Sequence, residues 1–320
     1  MWIGLGAGAL AGALWGLVFI APRMSAGYST VDLAAGRFMV YGLVSVAHLA
    51  LTDGLRSRPS PAQALAALGM SVLGFTGYYA LLAFAIRNAG TELPTLIIGT
   101  IPLWVTVLGK PQDLRLSALL PGIALTILGL LLMASAQAPD ASGQSATGHW
   151  VGLGATALAL AFWVAFSLLN SRWLAAHPDL GATRWTNWLG IGAGLGGLAL
   201  WWTAGSPIEV LAQQPRLLEL VLLVAVLGVG STWLATVCWN VASQRLSASL
   251  CGQLILCETL FALLYSFTWD QRYPSVAQVT ACVLFTAGIV ASVRAHGPAA
   301  QRLGHGHGPP AQPVPGGHGP

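Results

Sequence analysis

The chain has 320 residues, of which 55% are apolar and only 8% charged, and its mean hydropathy is +0.70. Soluble domains carry about a quarter charged residues, so this composition excludes a soluble globular protein and points to a polytopic membrane protein. The net charge of +4 is small and the basic residues are scattered between apolar runs, which excludes a nucleic-acid-binding footprint.

A helix needs about 20 residues to cross the hydrocarbon core. About ten such stretches can be placed, near 3–22, 31–51, 65–87, 92–110, 117–136, 149–172, 183–203, 217–242, 247–268 and 275–294. The first lacks the basic region and cleavage site of a secretory signal, so it is expected to be retained. Its glycines at 4, 8, 12 and 16 form an i, i+4 ladder that lets another backbone approach closely, with Trp15 beside the stripe. In the second stretch Arg37 lies a turn or two inside and is expected to be a structural charge, paired or reaching toward the membrane surface. His48 is expected to be packed or interfacial, and Asp53, Gly54, Arg56, Arg58 and Pro59 make a polar loop. The third stretch carries Tyr78 and Tyr79 and ends in a second structural charge, Arg87, before a tight turn at Gly90. In the fourth, Thr91, Thr95, Pro102, Thr106 and Gly109 share a face, and Pro102 removes a backbone hydrogen bond in mid-span.

The run QAPDASGQSATG divides the chain almost in half, giving a first repeat over 1–136, a loop over 137–147 and a second repeat over 148–295. Trp163, Ser167 and Asn170 share one side of the sixth stretch; Trp233, Asn240 and Gln244 share one side of the eighth. Such amides serve either as binding groups or as glue between helices. The tail over 296–320 is rich in Gly, Pro and His, has no apolar period and is expected to be disordered. Cys238, Cys251, Cys257 and Cys282 all lie in apolar stretches and do not cluster, so neither a disulfide nor a metal site is expected, and no cofactor motif is present.

The ninth stretch, LSASLCGQLILCETLFALLYSF, carries one carboxylate, Glu258, near its middle. An acidic residue at the centre of a spanning helix costs roughly 2.5 to 3.5 kcal/mol, so such residues usually face a bundle interior or a wet cavity. Ser247, Cys251, Glu258, Ala262 and Tyr265 fall on a small, polar face expected to line a cavity. Leu256, Leu260, Leu263 and Phe267, together with Ser249 and Gln253, fall on the other.

The halves resemble one another. AGALWGLVFI around Trp15 matches ALAFWVAFSL around Trp163, and TELPTLIIGTIPLW matches SASLCGQLILCETLF, which places Glu258 within one residue of the position of Pro102. Five spans per half is an odd number, so the second copy is expected to enter the membrane inverted, with a substrate site at the midplane between the repeats. Positive-inside counting places both termini in the cytoplasm, with Arg56, Arg58, Lys110, Arg115, Arg172, Arg184, Arg245, Arg294 and Arg302 on that side.

These features carry a family likeness. ALWG around Trp15, AAGRF around Arg37, YYALLAFAIRNAG leading into a proline-containing fourth stretch, and AQVTACVLFTAGIV near the end resemble two EamA-like units of the drug/metabolite transporter superfamily. The resemblance implies a ten-helix exporter of the bacterial inner membrane, whose substrates are amino acids, amines or other small metabolites. Many relatives have a proline where Glu258 lies. On this reading Glu258 carries a coupling proton or binds a substrate cation, Trp15, Trp163, Tyr78, Tyr79 and Trp233 offer aromatic faces, and a small molecule and the lipid bilayer are the partners. The alternative is a non-transporting membrane enzyme or scaffold in which Glu258 forms a buried pair with Arg37, Arg87 or Arg245; no HExxH, GxSxG or GxxxxGK motif is present to support an enzyme.

Overall fold

The computed structural model describes residues 1–24, 28–52, 58–89, 92–135, 146–214, 216–271 and 273–305, and the regular structure among them is entirely helical. The units in chain order are α1 (Trp2–Phe19), α2 (Thr30–Thr52), α3 (Pro61–Ala89), α4 in two pieces (Glu92–Ile98 and Ile101–Leu108), α5 (Leu116–Ser135), α6 (Ala146–Ala176), α7 (Ala182–Ala204), α8 (Leu217–Arg245), α9 (Ala248–Asp270) and α10 (Val276–His305). The polar-loop residues Asp53, Gly54 and Arg56, the turn at Gly90 and Thr91, Arg272, most of the inter-repeat loop and the tail beyond His305 lie outside the described residues. The last helix runs nine residues past His296, where the tail was expected to begin.

Eight helices among the described residues are long and apolar enough to cross a membrane. Two of the expected stretches differ. The fourth is interrupted at Gly99 and Thr100 into pieces of 7 and 8 residues, because Pro102 at the start of the second piece cannot donate into the preceding turn. The seventh is long enough at 23 residues but carries Arg184, Thr186 and Asn187; Thr186 and Asn187 are buried in its first half against neighbouring helices, where lipid solubility is not required. Helix ends follow local chemistry: Ser60 and Gln63 close a capping box at the start of α3 with Pro61 in its first turn. Ser275 and Gln278 exchange the same pair of bonds ahead of α10.

Three antiparallel pairs form the frame: α2 with α7, α5 with α10, and the second piece of α4 with the start of α9. Small residues bring the backbones together. A Cβ on Gly42 would stand 2.8 Å from the Cα of Gly194, and Gly122 and Gly288 oppose one another between α5 and α10. α1 packs on α8 and α9, and α6 packs correspondingly on α3 and α4. Both α3 and α8 are 29 residues long and each contains a π-helical stretch, Val72–Thr76 and Leu227–Leu234. Such bulges are frequent at functional sites.

Asp32, near the start of α2, is buried and ties the two ends of the α2–α7 pair to the loops beside them. Its carboxylate accepts from the hydroxyl of Ser29 at 2.7 Å, and from the backbone N–H and hydroxyl of Ser206 at 2.8 and 2.7 Å. Hydrogen bonds to a charged group are worth about 1.5 to 3 kcal/mol, and their loss leaves the Ser206 N–H without a partner. Asp32→Ala is therefore expected to destabilise by about 2 to 3 kcal/mol, seen as a lower thermal midpoint of the detergent-solubilised protein, while Asp32→Asn loses less.

Candidate functional site

α9 is itself interrupted, at Ile255, although it contains no proline. The Glu258 N–H bonds to the Ile255 carbonyl at 3.0 Å, a tightened turn, and Glu258 falls in the first turn of the piece Leu256–Asp270. The break is held by the crossing with α4. The Ser249 N–H donates to the Gly109 carbonyl at 3.1 Å, the Thr106 hydroxyl to the Ser249 carbonyl at 3.3 Å, and the Gln253 amide to the Thr106 hydroxyl at 2.8 Å. Gln253 is fully buried there, so the face expected to be greasy carries the polar crossing.

The small face of α9 is covered mainly by α1, which corrects its expected role as a cavity wall. The glycine ladder of α1 runs along it: a Cβ on Gly8 would meet Leu254, one on Gly12 would stand 2.8 Å from the Glu258 nitrogen, and one on Gly16 2.9 Å from the Ala262 nitrogen. Cys251 is fully buried and the Tyr265 hydroxyl donates to the Ala13 carbonyl at 3.1 Å. Glu258 differs from its neighbours on that face. It is half-buried, and among the described residues its carboxylate makes neither a hydrogen bond nor an ion pair.

Arg37 and the two tyrosines have surroundings of their own. The Arg37 guanidinium carbon stands 4.7 Å from the Phe38 ring centre and 5.9 Å from that of Tyr79, whose hydroxyl donates to the Thr30 carbonyl at 2.8 Å. Tyr78 packs against a cluster containing Trp15, Trp163 and Trp239. These three indoles form a triangle with ring centres 5.4 to 6.2 Å apart. Trp15 keeps partial exposure, whereas Trp163 and Trp239 are buried. Trp239 was not singled out by the sequence, because its partner indoles lie on α1 and α6 and only folding brings them together. Pro102 is buried at the break in α4.

The other selected residues lie elsewhere. Asn170 and Asn240 are fully buried and bonded to each other, with the Asn170 amide donating to the Asn240 carbonyl at 2.8 Å. The Asn170 carbonyl accepts from the Trp185 indole at 2.8 Å, and the Asn240 amide donates to the Thr186 hydroxyl at 2.8 Å. Gln244 donates to the Leu180 carbonyl, and Trp233 donates to Asn187, whose amide in turn bonds the His48 ring at 3.0 Å. These groups join α6, α7 and α8. The bonds they make are those of glue between helices, one of the two roles expected for them. Replacing Asn240 with Leu strands the Asn170 amide, while the Thr186 hydroxyl keeps its bond to the Ala182 carbonyl. A loss of about 1 to 2 kcal/mol is expected in reversible unfolding of the detergent-solubilised protein, with substrate affinity unchanged in whatever folded fraction remains. Arg87 and Arg245 are exposed, and Arg87 lies beside Phe84. Neither partners Glu258. A cleft of about 360 Å³ lined by His48, Thr52, Asp179, Arg184 and Asn187 opens at the end of α2, away from Glu258.

Residues 2–135 match the model of the EamA-like transporter family. Over 303 residues, 89% of this chain and 93% of the relative, the sequence is 30% identical to the inner membrane protein YtfF of Escherichia coli strain K12. The chain belongs to the EamA-like transporter family. It is a membrane transporter of the drug/metabolite type, in a family of transporters rather than enzymes. A solved crystal structure, 21% identical, superposes with a TM-score of 0.70 over 94% of this chain and 98% of that one, and so shares the fold.

Proposed function

We propose that this protein is a secondary transporter of the bacterial inner membrane that exports small metabolites, amino acids or amines, by alternating access, with Glu258 exchanging a proton for the substrate's ammonium group. The observation that carries this reading is the Glu258 carboxylate: half-buried, at a helix break, and without a bonding partner among the described residues. A permanently paired structural carboxylate would be bonded. An unpaired one inside a bundle is suited to a cation that comes and goes.

The frame fits two inverted repeats of five helices, with α4 and α7 added to the eight long apolar helices to make ten spans. Inversion requires symmetry mates to run in opposite directions, and α2 with α7, α4 with α9 and α5 with α10 are each antiparallel. Thr30 and Ala182 open α2 and α7, and at that same spacing of 152 positions Gly42 matches Gly194, the very residue it touches. Glu92 and Ala248 open α4 and α9, and at their spacing of 156 positions Pro102 matches Glu258. Ten spans would put both termini on one side, and the bias of basic residues supports the cytoplasm as that side.

In that orientation the α4–α9 crossing closes the cytoplasmic end. The piece Ile101–Leu108 is bonded to Ala248–Leu254, whereas Glu92–Ile98 and Leu256–Asp270 do not pack as a pair. This arrangement corresponds to a form open to the outside. Inward opening would break the bonds among Thr106, Ser249 and Gln253. The test is exchange of labelled amino acids and amines in proteoliposomes, wild type against Glu258→Gln.

A further inference from the structure

Away from Glu258, one chain of hydrogen bonds has its direction fixed throughout. An indole can only donate, so the Asn187 atom that the Trp233 Nε1–H meets at 2.8 Å is the amide oxygen. The Asn187 amino group is thereby turned to His48, whose Nδ1 stands 3.0 Å away and must accept. The neutral His48 ring therefore carries its proton on Nε2. Three helices meet in this chain: His48 lies on α2, the buried Asn187 on α7, and Trp233 on α8, where it falls in the π-helical stretch Leu227–Leu234. The His48 and Trp233 rings also lie together, with centres 5.4 Å apart. Beside this joint opens the polar cleft at the end of α2, which His48 and Asn187 help to line.

We propose that His48 is a proton-binding site separate from Glu258, and that its protonation opens the hydrogen-bonded joint of α2, α7 and α8. A proton on Nδ1 sets two donors against each other at 3.0 Å. Asn187 cannot answer by flipping, because its amino group would then face the Trp233 N–H. The bond between α2 and α7 must break. Imidazoles change charge between about pH 5 and 8, so the joint is closed toward the upper end of that range, and the stability it contributes is lost as pH falls. The groups around the ring direct this change. On α2 the Thr52 hydroxyl donates to the His48 carbonyl at 2.7 Å, and its oxygen, 3.5 Å from Nδ1, is the acceptor toward which a charged ring can turn, away from Asn187. Asp179, from the turn before α7, and Arg184, on α7, line the cleft with opposite charges, and both are exposed. α2 carries no charged residue after Arg37, and α8 none between Glu219 and Arg245. His177 is stacked on Trp173 and does not line the cleft. On the orientation proposed above the cleft faces the cytoplasm, but the joint needs neither that orientation nor the transporter reading.

The experiment reads Trp233 and then the joint. In the full chain labelled with fluorotryptophan and held in detergent, the Trp233 fluorine resonance, assigned through Trp233→Phe, should titrate between about pH 5 and 8. His48→Asn, whose amide oxygen can stand where Nδ1 does but cannot gain a proton, should abolish that titration; His48→Gln is the second variant without a titrating ring, should the first not fold. A charge near the indole could move its resonance without opening anything, so thermal midpoints decide the rest. The loss caused by Asn187→Leu should be larger by roughly 2 °C at about pH 8, where the joint is closed, than at about pH 5, where it is already open. In the His48→Asn background the loss should be the same at both pH values. A Trp233 resonance that does not titrate, a titration that persists without His48, or an Asn187→Leu loss that is equal at both pH values in the wild-type background overturns the proposal, and the last comparison needs no His48 variant to fold.

Discussion

Glu258→Gln should reduce exchange of a cationic or zwitterionic substrate in proteoliposomes by roughly a hundredfold, and what flux remains should no longer vary with an imposed pH gradient. The substitution keeps the shape of the side chain and removes only its ability to ionise. Leaving a desolvated ammonium without its counter-charge costs about 2 to 5 kcal/mol, and each 1.4 kcal/mol is a factor of ten in affinity. The loss should not come from unfolding. The carboxylate makes no hydrogen bond or ion pair among the described residues, so nothing structural is broken, and the thermal midpoint should stay near that of the wild type. Flux and pH dependence that both survive the change would eliminate the coupling role.

The second large effect should come from a residue with no polar chemistry. Gly12 lies where α1 crosses α9, and a Cβ there would stand 2.8 Å from both the Glu258 nitrogen and the Cys257 Cβ. Backbone cannot swing aside as a flexible side chain does. Gly12→Val must therefore push α1 away from α9 or carry strain, costing typically about 1 to 3 kcal/mol or more. Because the contact is with the backbone of Glu258 itself, the displacement moves the carboxylate, and transport should fall further than stability. Gly6→Val is the control: nothing lies within 4 Å of its Cβ position. Equal midpoints and equal fluxes for the two variants would remove the close-packing argument.

The conformational cycle sets a constraint of its own. If the bonds of Thr106 and Gln253 break as the cytoplasmic end opens, they have to be weak enough to exchange for equivalent partners. Neutral hydrogen bonds inside membrane proteins average less than about 1 kcal/mol, which suits a reversible closure better than an ion pair would. On the proposed cycle the two helix breaks would provide the hinge. At each of them, backbone groups are freed at the depth where Glu258 sits.

Much of this architecture follows from local chemistry and was legible in the chain. Hydropathy locates the helices, the spacing of Gly4, Gly8, Gly12 and Gly16 announces a close helix crossing, Pro102 predicts the break in α4, and a lone carboxylate in an apolar run draws attention to Glu258. Each of these rests on a period or a single residue's covalent geometry, which needs no partner to be read. Where partners decide, the chain alone was silent or misleading. Asn170, Asn240 and Gln244 have the same amide whether it meets a ligand or another helix, and only the packing of α6, α7 and α8 turns them toward each other. The break at Ile255 has no proline to announce it and is held by the crossing of α9 with α4. Most of all, Arg37 and Glu258 are more than two hundred positions apart in sequence. The sequence by itself determined that a carboxylate and a guanidinium would lie in the membrane. Only the tertiary structure decided what surrounds each of them, because packing sets the Phe38 and Tyr79 rings against the Arg37 guanidinium and the glycine face of α1 against the backbone of Glu258.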